Sequence, residues 1–173
     1  MKRLLIWLLS LSCVTTLSLS ASAQMDDHTA KGNTHNGFAM GSFTRAGFAF
    51  GLAYEYMFDA SAGVGAHLRS FQKDRDEGVN GYMVVGAAYV SHFYKRSWDL
   101  SFAPSFNIIN VDSYRDRPDD ATTMGPGLTI SLLYQVAERV AIGFDNSRYW
   151  VWFDDDYAGL IIDDLAFKLR VNF

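Results

Sequence analysis

Seven ionisable side chains stand in stretches where large apolar residues alternate with small or polar ones. They are Glu55, His67, Arg69, Asp99, Asp145, Lys168 and Arg170. Three carboxylates and three permanent cations are suited to ion pairing, and a histidine changes its charge near neutral pH. Charges held together away from water must be paired, because a buried charge without a counter-charge is energetically costly. The set predicts a salt-bridged polar interior, with a narrow gated pore as the alternative.

Catalysis and metal binding are the other chemistries that these residue types allow. Covalent hydrolysis needs a nucleophile, a histidine base and an acidic residue that orients the base. His67 and His92 stand among scattered serines in no recognisable catalytic motif. Carboxylates crowd three polar segments, 72–78, 111–121 and 154–159, where they would either bind Ca²⁺ or form a solvated rim. The spacing of these carboxylates is unlike that of a calcium loop, so we expect no metal site. Because no catalytic motif is recognisable either, we expect no enzyme activity and no cofactor.

The composition excludes several classes of protein. The chain has 173 residues, a net charge of −4 and a single cysteine, Cys13. This length suggests one domain. An acidic chain lacks the basic face that nucleic-acid binding requires, so we expect no nucleic-acid partner. One cysteine allows neither a disulfide framework nor a zinc site built on paired cysteines.

The first residues have the pattern of an export signal. Lys2 and Arg3 precede an apolar stretch, and Ala21-Ser22-Ala23 provides the small residues that signal peptidase requires. We therefore expect residues 1–23 to be a cleaved signal peptide. Residues 24–35 are polar and are interpreted as a flexible lead-in, which leaves 36–173 as the folded domain.

Beyond the lead-in, apolar residues recur with a period of two, as in β-strands. In residues 47–58, Phe48, Phe50, Leu52 and the following even positions are large, whereas the odd positions are mostly small or charged. The same alternation predicts eight strands, at 36–44, 47–58, 63–71, 79–93, 98–109, 124–135, 139–152 and 160–173. The strong strands run about 12 residues, the length of a tilted membrane strand rather than a strand of a soluble domain. Short turns alternate with the longer charged loops, except that the connection at Thr44-Arg45-Ala46, on the side of the long loops, is also short.

This arrangement resembles the small outer-membrane β-barrels of Gram-negative bacteria, the class of the OmpA transmembrane domain, OmpX and OmpW. The resemblance covers the chain after residue 23. Its most specific part is the last strand, which is similar to the signal read by the outer-membrane assembly machinery. That signal would comprise Leu165, Phe167, Leu169, Val171 and Phe173.

The resemblance implies an all-β fold, an eight-stranded antiparallel up-and-down transmembrane β-barrel. It further implies an outer-membrane location with both termini in the periplasm. The implied partners are outer-membrane lipid, lipopolysaccharide and the assembly machinery, with the protein itself a monomer.

Several residues depart from the simple alternation. Asn146 and Arg148 share a face with large apolar residues, so we expect a β-bulge near Asn146 to shift the phase. Pro104 and Pro126 each lack a backbone donor and predict interrupted pairing. The strand order makes Asp145 the expected partner of Lys168 and Arg170.

Aromatic residues are expected to form two interfacial belts. The belt near the termini would hold Tyr56, Phe58, Phe93, Trp98, Tyr134 and Phe173, and the opposite belt Phe48, Phe71, Tyr82, Trp150 and Trp152.

Three functions remain open at this point. The first is a structural or cell-surface interaction role that uses charged loops around a side-chain-filled polar lumen. The second is a narrow pore for ions or small solutes. The third is a soluble, secreted barrel of lipocalin type, whose large residues would face inward.

Overall fold

Eight β-strands account for most of the residues that the structure describes. In a computed structural model, residues 35–44, 47–73, 81–112, 121–153 and 159–173 are described, so the expected signal peptide and residues 24–34 of the lead-in lie outside them. Most of the acidic loop residues also lie outside. The strands are β1 (His35–Thr44), β2 (Gly47–Met57), β3 (Ala62–Lys73), β4 (Tyr82–Lys95), β5 (Trp98–Val111), β6 (Ala121–Ala137), β7 (Val140–Trp150) and β8 (Ile161–Asn172).

The strands form one closed barrel in chain order. Each strand pairs antiparallel with the next, and β8 pairs antiparallel with β1 to close the ring. An even number of strands brings both termini to one end, which we call the terminal end; the opposite end is the loop end. The expected eight-stranded up-and-down barrel is confirmed, with β1 starting at His35, one residue earlier than expected. No helix among the described residues is long and apolar enough to cross a bilayer.

Most of the large apolar residues face outward. In β2, Leu52 is 58% exposed, and Phe50, Tyr54 and Tyr56 share its face, whereas Glu55 on the other face is buried. In β8, Leu165 and Phe167 point outward, and Ala166 and Lys168 point inward. The lipocalin alternative is wrong, because it requires the large residues inside the barrel. An outward band of this size is the pattern of a barrel surrounded by lipid.

Two apolar clusters lie inside the barrel. The larger, at the loop end, is called the apolar plug and comprises Val84, Ile109, Val111, Tyr149, Val151 and Ile162. The smaller lies nearer the terminal end and contains Phe38, Leu133 and Ala141. Most of the charged interior residues occupy the space between and around these clusters.

Strand pairing corrects one sequence prediction and supports another. No bulge occurs at Asn146, which stays in continuous register between Ile130 and Leu165. Arg148 keeps its outward direction and lies directly opposite Asp163 on β8, which supplies a counter-charge. The expected bulge is unnecessary for Arg148, because Asp163 neutralises its charge on the outward face. At Pro104 the β4–β5 pairing is interrupted, as predicted.

The prediction of an aromatic belt at the loop end was partly wrong. Phe71 and Tyr82 lie inside the barrel with their rings stacked at 5.6 Å, and Tyr82 packs against the apolar plug. Arg69 and Val84 face inward, so residues two positions from them on the same strand also face inward. In the other belt, Tyr56, Phe58, Trp98, Tyr134 and Phe173 are exposed on the outer surface.

Leu52→Arg tests whether the outward face meets lipid. Leu52 lies in the middle of β2, so a guanidinium there should destabilise the barrel by about 2–4 kcal/mol. Phe58→Arg is the control, because Phe58 is equally exposed at the strand end and should lose only about 0–1 kcal/mol. Urea titration of folding in phospholipid vesicles measures both values. Equal losses would contradict the bilayer placement.

Candidate functional site: the charged lumen

Alternation along the strands places all seven sequence-predicted site residues inside the barrel. Glu55, Arg69, Asp99, Asp145, Lys168 and Arg170 are buried, and His67 is partly buried. They come from five strands, so the closed sheet brings together residues that are far apart in the chain. All of them except His67 belong to two groups at different heights in the lumen.

The first group, the Arg69 cluster, lies toward the loop end. The guanidinium of Arg69 donates through Nη2 to Asp145 Oδ2 at 2.5 Å and through Nη1 to Asp164 Oδ2 at 2.7 Å. Lys168 Nζ lies 3.6 Å from the same Asp145 oxygen and donates to Ser131 Oγ at 3.0 Å. Two cations and two carboxylates therefore neutralise one another in a buried layer.

The second group, the His92 cluster, lies toward the terminal end. The His92 ring is inserted between two carboxylates, with Nδ1 3.0 Å from Asp99 Oδ2 and Nε2 3.3 Å from Glu55 Oε2. Arg170 forms an ion pair with the same Asp99 and donates through Nη2 to Gln135 Oε1 at 3.1 Å. The cluster thus joins β2, β4, β5, β6 and β8.

These contacts correct the expected pairing. Asp145 does lie beside Lys168, but Arg170 pairs with Asp99 rather than with Asp145. The physical reason is height along the strand. Arg170 stands two residues closer to the terminal end than Lys168, and Asp99 lies at the start of β5, at that same end.

Sequence reasoning missed two members of the network. His92 was considered only as a weak catalytic candidate, yet it is almost fully buried in the lumen. The period of two gives Asp164 the same inward phase as Lys168, but Asp164 was not included in the predicted charged network. The sequence carried little signal for His92, because β4 has apolar residues on both faces: Val84 and Val90 point inward, whereas Met83 and Val85 point outward.

A small cavity of about 30 Å³ lies between the two clusters. Glu55, His67, Arg69, Asp145 and Lys168 are among its lining residues. His67 Nε2 and Asp145 Oδ1 are buried without a hydrogen-bond partner. Charged side chains and apolar residues such as Met40 and Val90 share the lining, and the volume is large enough for one or two water molecules, which would satisfy such atoms. It does not extend through the lumen, because the apolar plug fills the loop end.

The chemistry that this arrangement supports is charge neutralisation. Both His92 nitrogens face carboxylates, and its ring stacks on Tyr94 at 5.5 Å, so no hydroxyl nucleophile is among its described contacts. No group of three or more His, Cys, Asp or Glu residues in the described ranges is arranged to hold a metal ion.

Solved structures share this architecture at low sequence identity. The β-barrel domain at the amino terminus of Pseudomonas aeruginosa OprF matches with a TM-score of 0.59 and 13% identity, covering 83% of this chain and all of that one. Neisserial surface protein A matches with a TM-score of 0.58 and 12% identity, covering 80% and 94%. The outer-membrane enzyme PagL matches with a TM-score of 0.51 and 12% identity, covering 80% and 99%.

The chain has the fold of the small outer-membrane β-barrels. No protein-family model matches it, and no curated protein matches its sequence. The likeness is therefore one of fold, and the proteins that share this fold range from a surface protein to an enzyme.

Asp145→Ala tests whether the Arg69 cluster is dry and tightly coupled. The substitution leaves Arg69 with Asp164 alone and removes the carboxylate beside Lys168. We expect a loss of about 3–5 kcal/mol in the free energy of unfolding, because a buried cation loses its counter-charge. Asp145→Asn, which keeps an oxygen acceptor, should lose less. Glu138→Ala, in the exposed β6–β7 turn, is the control and should change little. A loss of about 1 kcal/mol or less for Asp145→Ala would show a water-filled lumen instead.

Proposed function

We propose that this protein is an integral outer-membrane barrel with a structural or cell-surface interaction role and no open channel. The observation that carries the proposal is a combination: an apolar outer surface surrounds a lumen that is filled by paired charges and closed by the apolar plug. Such a barrel is anchored by its outside and stabilised by its inside, which leaves the loops as the surface available to partners.

The lengths of the connections support an orientation in the membrane. At the terminal end the turns are short, and in one of them Asp59 accepts hydrogen bonds from the backbone of Ser61 and Ala62. At the loop end the connections after β3, β5 and β7 are longer and rich in Asp. Outer-membrane barrels have short periplasmic turns and longer extracellular loops, so the terminal end belongs in the periplasm. The loops would then meet lipopolysaccharide and extracellular partners.

A pore is the weaker alternative. An eight-stranded barrel has an interior only wide enough to be filled by side chains. Val84, Ile109, Tyr149 and Val151 in the plug are completely inaccessible to solvent. A conducting path would have to move this apolar layer as well as the two charged clusters.

The non-enzymatic assignment is also part of the proposal. PagL is an enzyme with the same fold, so the fold by itself does not decide the matter. What supports a non-enzyme is the engagement of His92 by two carboxylates within the lumen, away from membrane lipid. We propose no cofactor, no nucleic-acid partner and a monomeric barrel.

Export and assembly complete the proposal. Residues 1–23 would direct export, and the alternating residues of β8 that end at Phe173 would form the assembly signal. The terminal residue also closes the barrel seam: its backbone N–H donates to the His35 carbonyl at 2.9 Å. Its ring stacks on His35 at 6.0 Å.

Deleting Phe173 should therefore reduce the amount of folded barrel in the outer membrane severalfold, because both the assembly signal and the seam contact are lost. Phe173→Tyr keeps an aromatic ring and is the matched control. Heat-modifiable mobility on gels, measured on isolated outer membranes, reports the folded fraction. Wild-type levels for the deletion would disprove this role of Phe173.

Planar-bilayer recording separates the anchored barrel from the pore. The purified, folded protein should give no steady conductance, because the plug and the paired charges fill the lumen. Buffer with detergent alone is the control for leakage. A steady, reproducible conductance from the folded barrel would favour the pore.

A further inference from the structure

A single ion pair breaks the apolar outer surface of the barrel. Arg148 Nε donates to Asp163 Oδ1 at 2.5 Å, and both side chains are about half exposed (51% each). Away from the terminal-end turns, these are the only charged residues on the outward faces of the described strands. A charge on the lipid face is destabilising unless it lies near an interface, so the position of the pair needs a physical reason.

The height of the pair identifies its surroundings. Arg148 is eight residues along β7 from Val140, and a strand tilted by about 40° rises about 20 Å over that length. The hydrocarbon band of an outer-membrane barrel is about 25 Å tall. Trp150, a residue type enriched at membrane interfaces, lies two positions further along. The pair therefore lies near the outer boundary of the hydrocarbon, where lipid headgroups begin.

The guanidinium retains binding capacity at this height. Only its Nε hydrogen is used by Asp163, and no other partner of Arg148 occurs among the described residues. An arginine has five N–H donors, and its two terminal nitrogens match the oxygens of a phosphate group. Asp163 fixes the inner edge of the guanidinium against the sheet, which reduces the entropy lost when a ligand binds the outer edge.

We propose that Arg148, held by Asp163, binds the phosphate monoester of an outer-leaflet lipid headgroup at the side of the barrel. The inference rests on the proposed outer-membrane location and adds a specific lipid site to it. The site lies on the wall formed by β7 and β8, so it is separate from the loops and from the charged lumen.

Lipid titration of the folded, full-length barrel in detergent, followed by native mass spectrometry, tests the proposal. The probe is diphosphoryl lipid A, compared with phosphatidylcholine. Arg148→Gln should weaken lipid A binding at least tenfold and leave phosphatidylcholine binding unchanged. Arg139→Gln is the matched control, because Arg139 lies in an exposed turn at the terminal end. Equal lipid A affinity of Arg148→Gln and wild type would refute the site.

Two further variants distinguish a phosphate site from an ion pair that only stabilises the barrel. Asp163→Asn keeps an oxygen acceptor for Nε and removes a nearby negative charge, so lipid A binding should be kept or strengthened. The double variant Arg148→Gln/Asp163→Asn leaves no unpaired charge at this position, so it should fold but lose lipid A binding. Loss of binding in Asp163→Asn, or retention in the double variant, would overturn the proposal.

Competition and oligomeric state resolve the remaining alternatives. Inorganic phosphate at the same concentration should fail to displace lipid A; displacement would mean that the site takes free phosphate and would overturn the lipid assignment. Conversion of a dimer to a monomer by Arg148→Gln, with unchanged lipid binding, would assign the pair to contact between two copies. A barrel that stays monodisperse in water without detergent would instead refute the proposed function itself.

Discussion

Closure of β8 onto β1 is the constraint on which the rest of the structure depends. In lipid, a backbone N–H or C=O has no water to bind, so each must find a partner within the sheet. Antiparallel pairing around a complete ring meets this requirement without leaving a free edge. Closure then divides every strand into an outer and an inner face, and the two faces require opposite chemistry. The outer face carries mainly Phe, Leu, Val and Ile. The inner face must fill a narrow lumen with the small, polar and charged side chains and the remaining apolar ones.

Paired charged side chains fill much of this narrow interior. Most of the large apolar residues face outward, and the two apolar clusters fill only part of the lumen, so long charged side chains from opposite walls meet across the remaining space. Arg69 reaches Asp145 and Asp164, and Arg170 reaches Asp99. Each charge would be costly alone in this interior, and the network is stabilising only because its members are present together. The apolar plug at the loop end then separates the network from the outside.

The same reasoning explains why one charged pair is tolerated on the outside. Arg148 and Asp163 neutralise each other directly across neighbouring strands, close to the level at which lipid headgroups begin. An isolated arginine at the middle of the band would be a liability, whereas a paired arginine near its edge keeps donors for a polar ligand. Paired charges therefore occur in two places in this barrel. Inside, they fill the lumen, and outside, Arg148 and Asp163 form a polar site on the wall.

Much of this architecture was determined by the sequence alone, because the period of two in Phe48, Phe50 and Leu52 is local information that survives without the fold. The same alternation identified the eight strands and seven of the interior ionisable residues, whereas His92 and Asp164 were recognised as part of the network only in the structure. Tertiary structure decided which interior charges form ion pairs, because partners such as Arg170 and Asp99 are set by strand tilt and register across the closed ring. It also decided the inward direction of Tyr82 and His92, because their strand β4 has apolar residues on both faces. The outward Arg148 looked like a phase error in one strand, and only the neighbouring strand, with Asp163 opposite, shows that the phase never changes.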